Sequence, residues 1–163
     1  NSYTLSFGGA RVERSDILHV DASNTRATFV GDLAQADVLP KEAFDCIVFI
    51  QALQFIFDFK AALDTLHAAL KPGGVLLMTT PGVSKLHDAW PWYWNFTPAS
   101  VRRLLQDLFG DDAASVDGHG NVFAAVAFLH GVAVEELDAS RLDAEDADYA
   151  VVVAARVVKR TDA

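Results

Sequence analysis

The sequence predicts an α/β fold: a mostly parallel sheet with helices on both faces and an antiparallel C-terminal strand. Three observations lead there. Residues 44–50, Phe-Asp-Cys-Ile-Val-Phe-Ile, are a nearly unbroken apolar run, the pattern of a parallel strand covered on both faces. A helical pattern at 59–70 ends in Lys71-Pro72-Gly73-Gly74 and leads directly into a second apolar run at 75–80. Strands and helices alternate, which implies right-handed crossovers. In the final pair, helix-poor spacing and a Val-rich run at 149–158 predict an antiparallel insertion beside the strand that starts at Val75.

Each element has a local reason. Residues 12–18 read as a short strand ending near Asp16, and 27–30 as a second strand stopped by Gly31-Asp32. Residues 33–43, with Pro40, read as a loop. In the helix at 59–70, Leu63, Leu66, Ala69 and Leu70 share one face at helical spacing. Lys71 sits where a cation favours a helix C-terminus, and Pro72 cannot continue the helix. Residues 81–95 are irregular and rich in Trp and Tyr. Thr97 is an N-cap and Pro98 a first helical residue, so a helix runs from there to about Phe109. Residues 114–118 are a weak strand, 121–137 an apolar helix with a break at Gly131, and 138–148 an acidic loop. With no repeat, low-complexity tract or linker, residues 1–163 read as one domain.

Composition narrows the function classes. Hydrophobic residues make up 52% of the 163, which is enough for a sizeable core and argues against disorder. A net charge of −9 argues against nucleic acid as the main partner and tolerates a cationic ligand. Cys46 is the only cysteine, so a disulfide framework and a Cys-based metal site are excluded. It reads as a buried structural thiol, and the composition fits a reducing cytoplasm. No apolar run approaches the ~20 residues of a membrane span. The five histidines form no metal-binding pattern: His67 and His130 lie in helices, His119 in a Gly-rich turn, and His19 and His87 nearer the strand ends. No Gly-x-Ser-x-Gly elbow or phosphate-binding Gly-Lys-Ser/Thr loop is present.

In their order and spacing, the motifs from Val12 to Thr80 resemble the class I S-adenosylmethionine (SAM) dependent methyltransferases, a Rossmann-like family. The motifs are an acid near the end of the first visible strand, Gly31-Asp32-Leu33 leading to Leu39-Pro40, Phe44-Asp45 with its apolar strand, and Lys71-Pro72-Gly73-Gly74. The resemblance implies SAM as cofactor. It implies Asp16, with Ile17, at the ribose hydroxyls, and Asp32, with Leu33, bordering the adenine. A carboxylate accepts hydrogen bonds from a diol or an amine, and strand ends present such groups at one rim. Asp16 also reads as a turn or helix cap, Asp32 as an ordinary turn residue, and Asp45 as structural. Residues after the Phe44 strand, Gln51, Ala52, Leu53 and Gln54, are implied to face the methionine part and the substrate, with Tyr3 nearby.

The family's first strand and Glu/Asp-x-Gly-x-Gly turn are absent, and would lie before Asn1. The chain therefore reads as N-terminally truncated. It is expected to bind SAM weakly or not at all and to self-associate through exposed strand edges. Further motifs extend the resemblance to bacterial methyltransferase-like proteins linked to sugar or glycan modification: Tyr3-Thr4 with Phe7-Gly8-Gly9, Tyr93-Trp94-Asn95-Phe96-Thr97, and Asn121-Val122 with Ala127-Phe128-Leu129-His130-Gly131. The implied activity is methyl transfer to a small molecule or sugar, with Gln54, His87, Tyr93 and Trp94 as substrate candidates. The aromatics at 90–94 are placed to stack on a sugar or ring and shield a sulfonium, or else to pack over the sheet edge. Gln54 stands where many relatives have His and cannot act as a base, so no catalytic residue is assigned. The alternative is a non-catalytic methyltransferase-like scaffold, favoured by the missing strand and by Gln54 and opposed by Asp16 and Asp32.

Overall fold

A computed structural model describes residues 4–86 and 90–161. Two helical turns, Thr4–Gly8 and Gly9–Arg11, open it. The strands are β1 (Leu18–His19), β2 (Phe29–Val30), β3 (Phe44–Ile50), β4 (Leu70–Pro81), β5 (Ala114–His119) and β6 (Val152–Val158). The helices are α1 (Phe59–Ala69), α2 (Pro98–Phe109), α3 (Val122–His130) and α4 (Ala139–Leu142). β1 and β2 form a parallel two-stranded ribbon. The other four strands form one sheet in the order β3-β4-β6-β5. β3 and β4 are parallel, and β6 runs antiparallel to both its neighbours, β4 and β5. The Val-rich terminal run thus lies beside β4, as its pattern predicts.

Both early strands are shorter than their sequence pattern. Residues 12–16, Val-Glu-Arg-Ser-Asp, carry a single apolar side chain, and Arg14 is spent on an ion pair with Asp16 at 2.9 Å. Only the stretch whose apolar side chains reach the core stays paired. Leu18 and Phe29 pack against the core cluster, and Phe29 meets Phe44 edge-on at 6.1 Å.

The Lys-Pro-Gly-Gly segment is a bulge inside β4 rather than a turn before it. Phe44 pairs with Leu70 and Cys46 with Val75, so the pairing shifts register there. Glycine is required at Gly74, where a Cβ would lie 2.8 Å from the Lys71 carbonyl oxygen and 3.0 Å from that of Phe44. Lys71 Nζ meets Asp45 at 2.9 Å, which gives Asp45 the structural role its position predicts.

The helices α1 and α2 pack on one face of the sheet. Leu63 and Leu66 of α1, and Val101, Leu105 and Phe109 of α2, are buried with Leu76, Met78, Val153 and Val157 of the strands. Both helix starts are capped: the Asp58 carboxylate accepts from Ala61 N–H at 3.1 Å, and the Thr97 hydroxyl accepts from Ser100 N–H at 3.1 Å. On the opposite face Val48 is 47% exposed and Leu77 37%. Cys46 shares that face and is exposed, not buried as its apolar run predicts. Strand alternation places it there, on the edge strand of the sheet. Partial burial, then the Asp45 carboxylate, raise its thiol pKa.

Candidate functional site

The register of the ribbon sets two carboxylates level with each other. His19 pairs with Val30, so Asp21 and Asp32 each stand two residues beyond the last paired position of their strands. Gly31 makes the exit from β2 possible: its φ is 155°, and a Cβ there would meet the Val38 side chain at 2.6 Å. Asp32 Oδ1 accepts from Ala34 N–H at 2.9 Å. The side chains of Leu33 and Leu39, 7% and 9% exposed, anchor the following loop in the core.

Asp21 is held in the same way. Its two oxygens accept from the Ser23 N–H and the Ser23 hydroxyl, each at 2.8 Å. Those bonds, backbone first, lower its pKa and keep it ionised. The Asp21 N–H donates to His19 Nδ1 at 3.0 Å, so that nitrogen is the ring's acceptor. An ionised carboxylate has acceptor capacity beyond one bond per oxygen. Asp21 and Asp32 therefore fit the hydroxyls and amine of a nucleoside.

A second constellation forms at the end of β3. Ile50 is the last residue paired with β4, opposite Thr79. Gln51 then turns with φ 49°, a left-handed conformation unusual for a residue other than glycine. Its N–H donates to the Thr79 carbonyl at 3.0 Å. Gln54 braces this turn, its Nε2 donating to the Gln51 carbonyl at 2.9 Å. Gln54 is 1% exposed, and its Oε1 and the Thr80 hydroxyl are buried without a hydrogen-bond partner among the described residues. Strain and unmatched polar atoms concentrate where functional sites tend to lie. A shallow depression of about 280 Å³ borders the turn through Ile50 and Thr79 and extends over Leu77, Ala154, Arg156 and Asp117.

An aromatic strap crosses the same end. Tyr93 N–H donates to the Gln54 carbonyl at 2.9 Å. Trp94 Nε1 donates to the carbonyls of Ile56 and Phe57 at 3.1 and 3.2 Å, and its ring meets Phe59 edge-on at 5.2 Å. Tyr93, 45% exposed, stands against Phe57 at 5.3 Å.

The sequence-derived candidates separate accordingly. Asp16 precedes β1 and is tied to Arg14. Ile17 lies within the ribbon, its carbonyl accepting from Thr28 N–H at 2.8 Å and from Phe29 N–H at 3.0 Å. Asp32 stands at the ribbon's end, with Leu33 buried behind it. Gln51 is partly exposed and Gln54 is enclosed. Tyr93 offers its ring outward, while Trp94 is a brace. Tyr3 and His87 lie outside the described residues. Asp21 is not among the sequence-derived candidates, although Leu18-His19-Val20-Asp21 carries the pattern of a short strand closed by an acid. Among the described residues no group of His, Cys, Asp and Glu is arranged to hold a metal, and no helix is long and apolar enough to cross a membrane.

Residues 7–133 match the model of a family described as "Methyltransferase domain". No curated protein matches the sequence. Solved structures share the fold. A chain in the complex of the Haloferax volcanii Trm112 methyltransferase activator with a methyltransferase is 13% identical, with a TM-score of 0.62, covering 98% of this chain and 77% of that one. The Haemonchus contortus phosphoethanolamine N-methyltransferase 2, bound to phosphomonomethylethanolamine and S-adenosylhomocysteine, is 16% identical, with a TM-score of 0.53 and coverage of 85% and 38%. A SAM-dependent methyltransferase of Mesorhizobium loti is 18% identical, with a TM-score of 0.56 and coverage of 87% and 78%.

Proposed function

Since this chain belongs to the methyltransferase-domain family, we propose that it is a SAM-dependent methyltransferase acting on a small molecule or sugar. The observation that carries the reading is the level pair Asp21 and Asp32, one beyond each strand of a parallel ribbon. Ligands of α/β sheets bind outside such strand ends. Asp21 accepts from the ribose hydroxyls and Asp32 from the adenine amine. Gln51, in its strained turn, faces the methionine part, and Tyr93 with Phe57 flanks the methyl acceptor. When bound, SAM supplies an electrophilic methyl group on a sulfonium centre. The chain's own task is alignment and exclusion of water.

Gln54 is a positioning residue in this reading. It is enclosed and holds the Gln51 carbonyl, so it shapes the turn without touching substrate. Gln54 cannot act as a base, so a hydroxyl acceptor such as a sugar's needs another group to take its proton, whereas an acceptor that is already nucleophilic needs none.

Calorimetry with SAM tests the assignment. Asp21→Asn and Asp32→Asn should each weaken binding by roughly 10- to 100-fold, the scale of one hydrogen bond to a charged group. Asp16→Asn should leave it unchanged. A loss in Asp16→Asn with none in Asp21→Asn would return the ribose to Asp16. The titrations use the chain with its natural upstream residues, and if that chain binds no SAM, the scaffold reading takes its place.

A further inference from the structure

Between β5 and β6 the chain leaves the sheet on an excursion, residues 121–149, that the site does not use. Its first element, α3, reads Val-Phe-Ala-Ala-Val-Ala-Phe-Leu-His, apolar around its whole circumference. A helix of that kind belongs in an interior. In this fold only Ala127 of α3 is buried, at 6% exposure, while Val126 and Phe128 are each 51% exposed and Leu129 44%. Val134, just beyond, is 63% exposed. The short α4 packs against α3.

The excursion's second half is acidic. Between Asn121 and Tyr149 lie seven Asp or Glu residues and one Arg, net −6 of the chain's −9. The acidic stretch runs back along α3. It begins past Gly131, the left-handed C-cap of α3, and returns to the N-terminal end, where Asp146 N–H donates to the Gly120 carbonyl at 3.4 Å. Asn121 Nδ2 ties the two halves together, donating to the carbonyls of Arg141 at 2.9 Å and Ala144 at 2.6 Å. The lone cation, Arg141, is engaged over the Phe123 ring at 3.7 Å.

We propose that this excursion docks a protein partner presenting an amphipathic helix whose apolar face is rimmed by Lys and Arg. Charge selects that occupant. The exposed apolar helix supplies the area, and the carboxylates beside it demand cations from whatever covers it. A second copy would bring the same acidic stretch and be repelled. An anionic lipid surface would be repelled as well. The open face of the sheet makes no such choice, because Asp117 and Arg156 both stand on it.

The test uses two fluorescein-labelled helical peptides of about 18 residues, with the same Leu face and either Lys or Glu on the rim. The Leu/Lys peptide should bind the chain one-to-one by anisotropy, protect the amides of residues 122–134 from exchange, and weaken several-fold as salt rises past physiological strength. Val126→Ser with Phe128→Ser should weaken it roughly tenfold or more. Glu135→Gln with Glu145→Gln, surface changes that leave the helix intact, should also weaken it. Equal binding of the Leu/Glu peptide would overturn the proposal, as would indifference to both variants, or protection confined to the sheet. A dimer dissolved by the Ser variant would make the occupant a second copy. Flotation with phosphatidylcholine–phosphatidylserine vesicles would make it a membrane.

Discussion

Replacing Asn121 by Ala should melt one part of the molecule and spare the rest. Asn121 is 6% exposed and makes two kinds of bond. Its Oδ1 caps α3, accepting from Ala124 N–H at 2.8 Å, a contact worth about 1 kcal/mol. Its Nδ2 donates to the carbonyls of Arg141, at 2.9 Å, and Ala144, at 2.6 Å. Both residues are otherwise exposed, so water recovers part of the loss, leaving about 1–2 kcal/mol. The total is about 2–3 kcal/mol, equivalent to a roughly 30- to 150-fold rise in local opening. Native-state hydrogen exchange should show it in the α3 amides, with those of β4 and β6 unchanged. Asn121→Asp keeps the cap and loses the donors, so it should show only the second part. If α3 and β4 lost protection equally, the excursion would be one cooperative unit with the sheet, and the reasoning would fail.

Three other outcomes are expected. Burial, then Lys159, hold the His67 pKa below 6.5, so the unfolded chain takes up that proton first and stability falls as pH drops through 6.5 toward the folded value; urea midpoints from pH 8 to 5.5 should fall less steeply for His67→Gln, and an equal slope would discount His67. Gln51→Gly should relieve the positive φ and raise stability by about 0.5–1 kcal/mol while weakening SAM binding; a variant that gains stability and keeps full affinity would remove Gln51 from the site. Cys46 should react with iodoacetamide in the folded chain, more slowly than a free thiol because its pKa is raised; a thiol inert until denaturant is added would mean that its face of the sheet is covered.

The sequence by itself determined the element order, the caps and the identity of the terminal strand. Thr97-Pro98 started α2, Asn121 started α3 and the Val-rich run became β6, whereas the apolar helix read over 121–137 ends at His130 and the acidic loop read over 138–148 carries α4. These depend on local backbone chemistry and on side-chain period, which a linear reading captures. It also determined the methyltransferase resemblance, which the family match over residues 7–133 supports. Tertiary structure alone decided which side of each pattern is covered. An apolar run at 44–50 says that side chains are hydrophobic, but the pairing of β3 at the sheet edge decides that Cys46 and Val48 are open while Ile47 and Phe49 pack against the core. The same holds for the carboxylates. Asp16 and Asp21 are the same residue type and only five residues apart. The register of Leu18 with Phe29 puts one before the strand and the other level with Asp32 beyond it, because position along a parallel ladder is set by partners distant in sequence. Gln54 shows the limit most plainly: nothing in its neighbours' identities tells that it is enclosed and donates to the Gln51 carbonyl, which only the folded chain reveals.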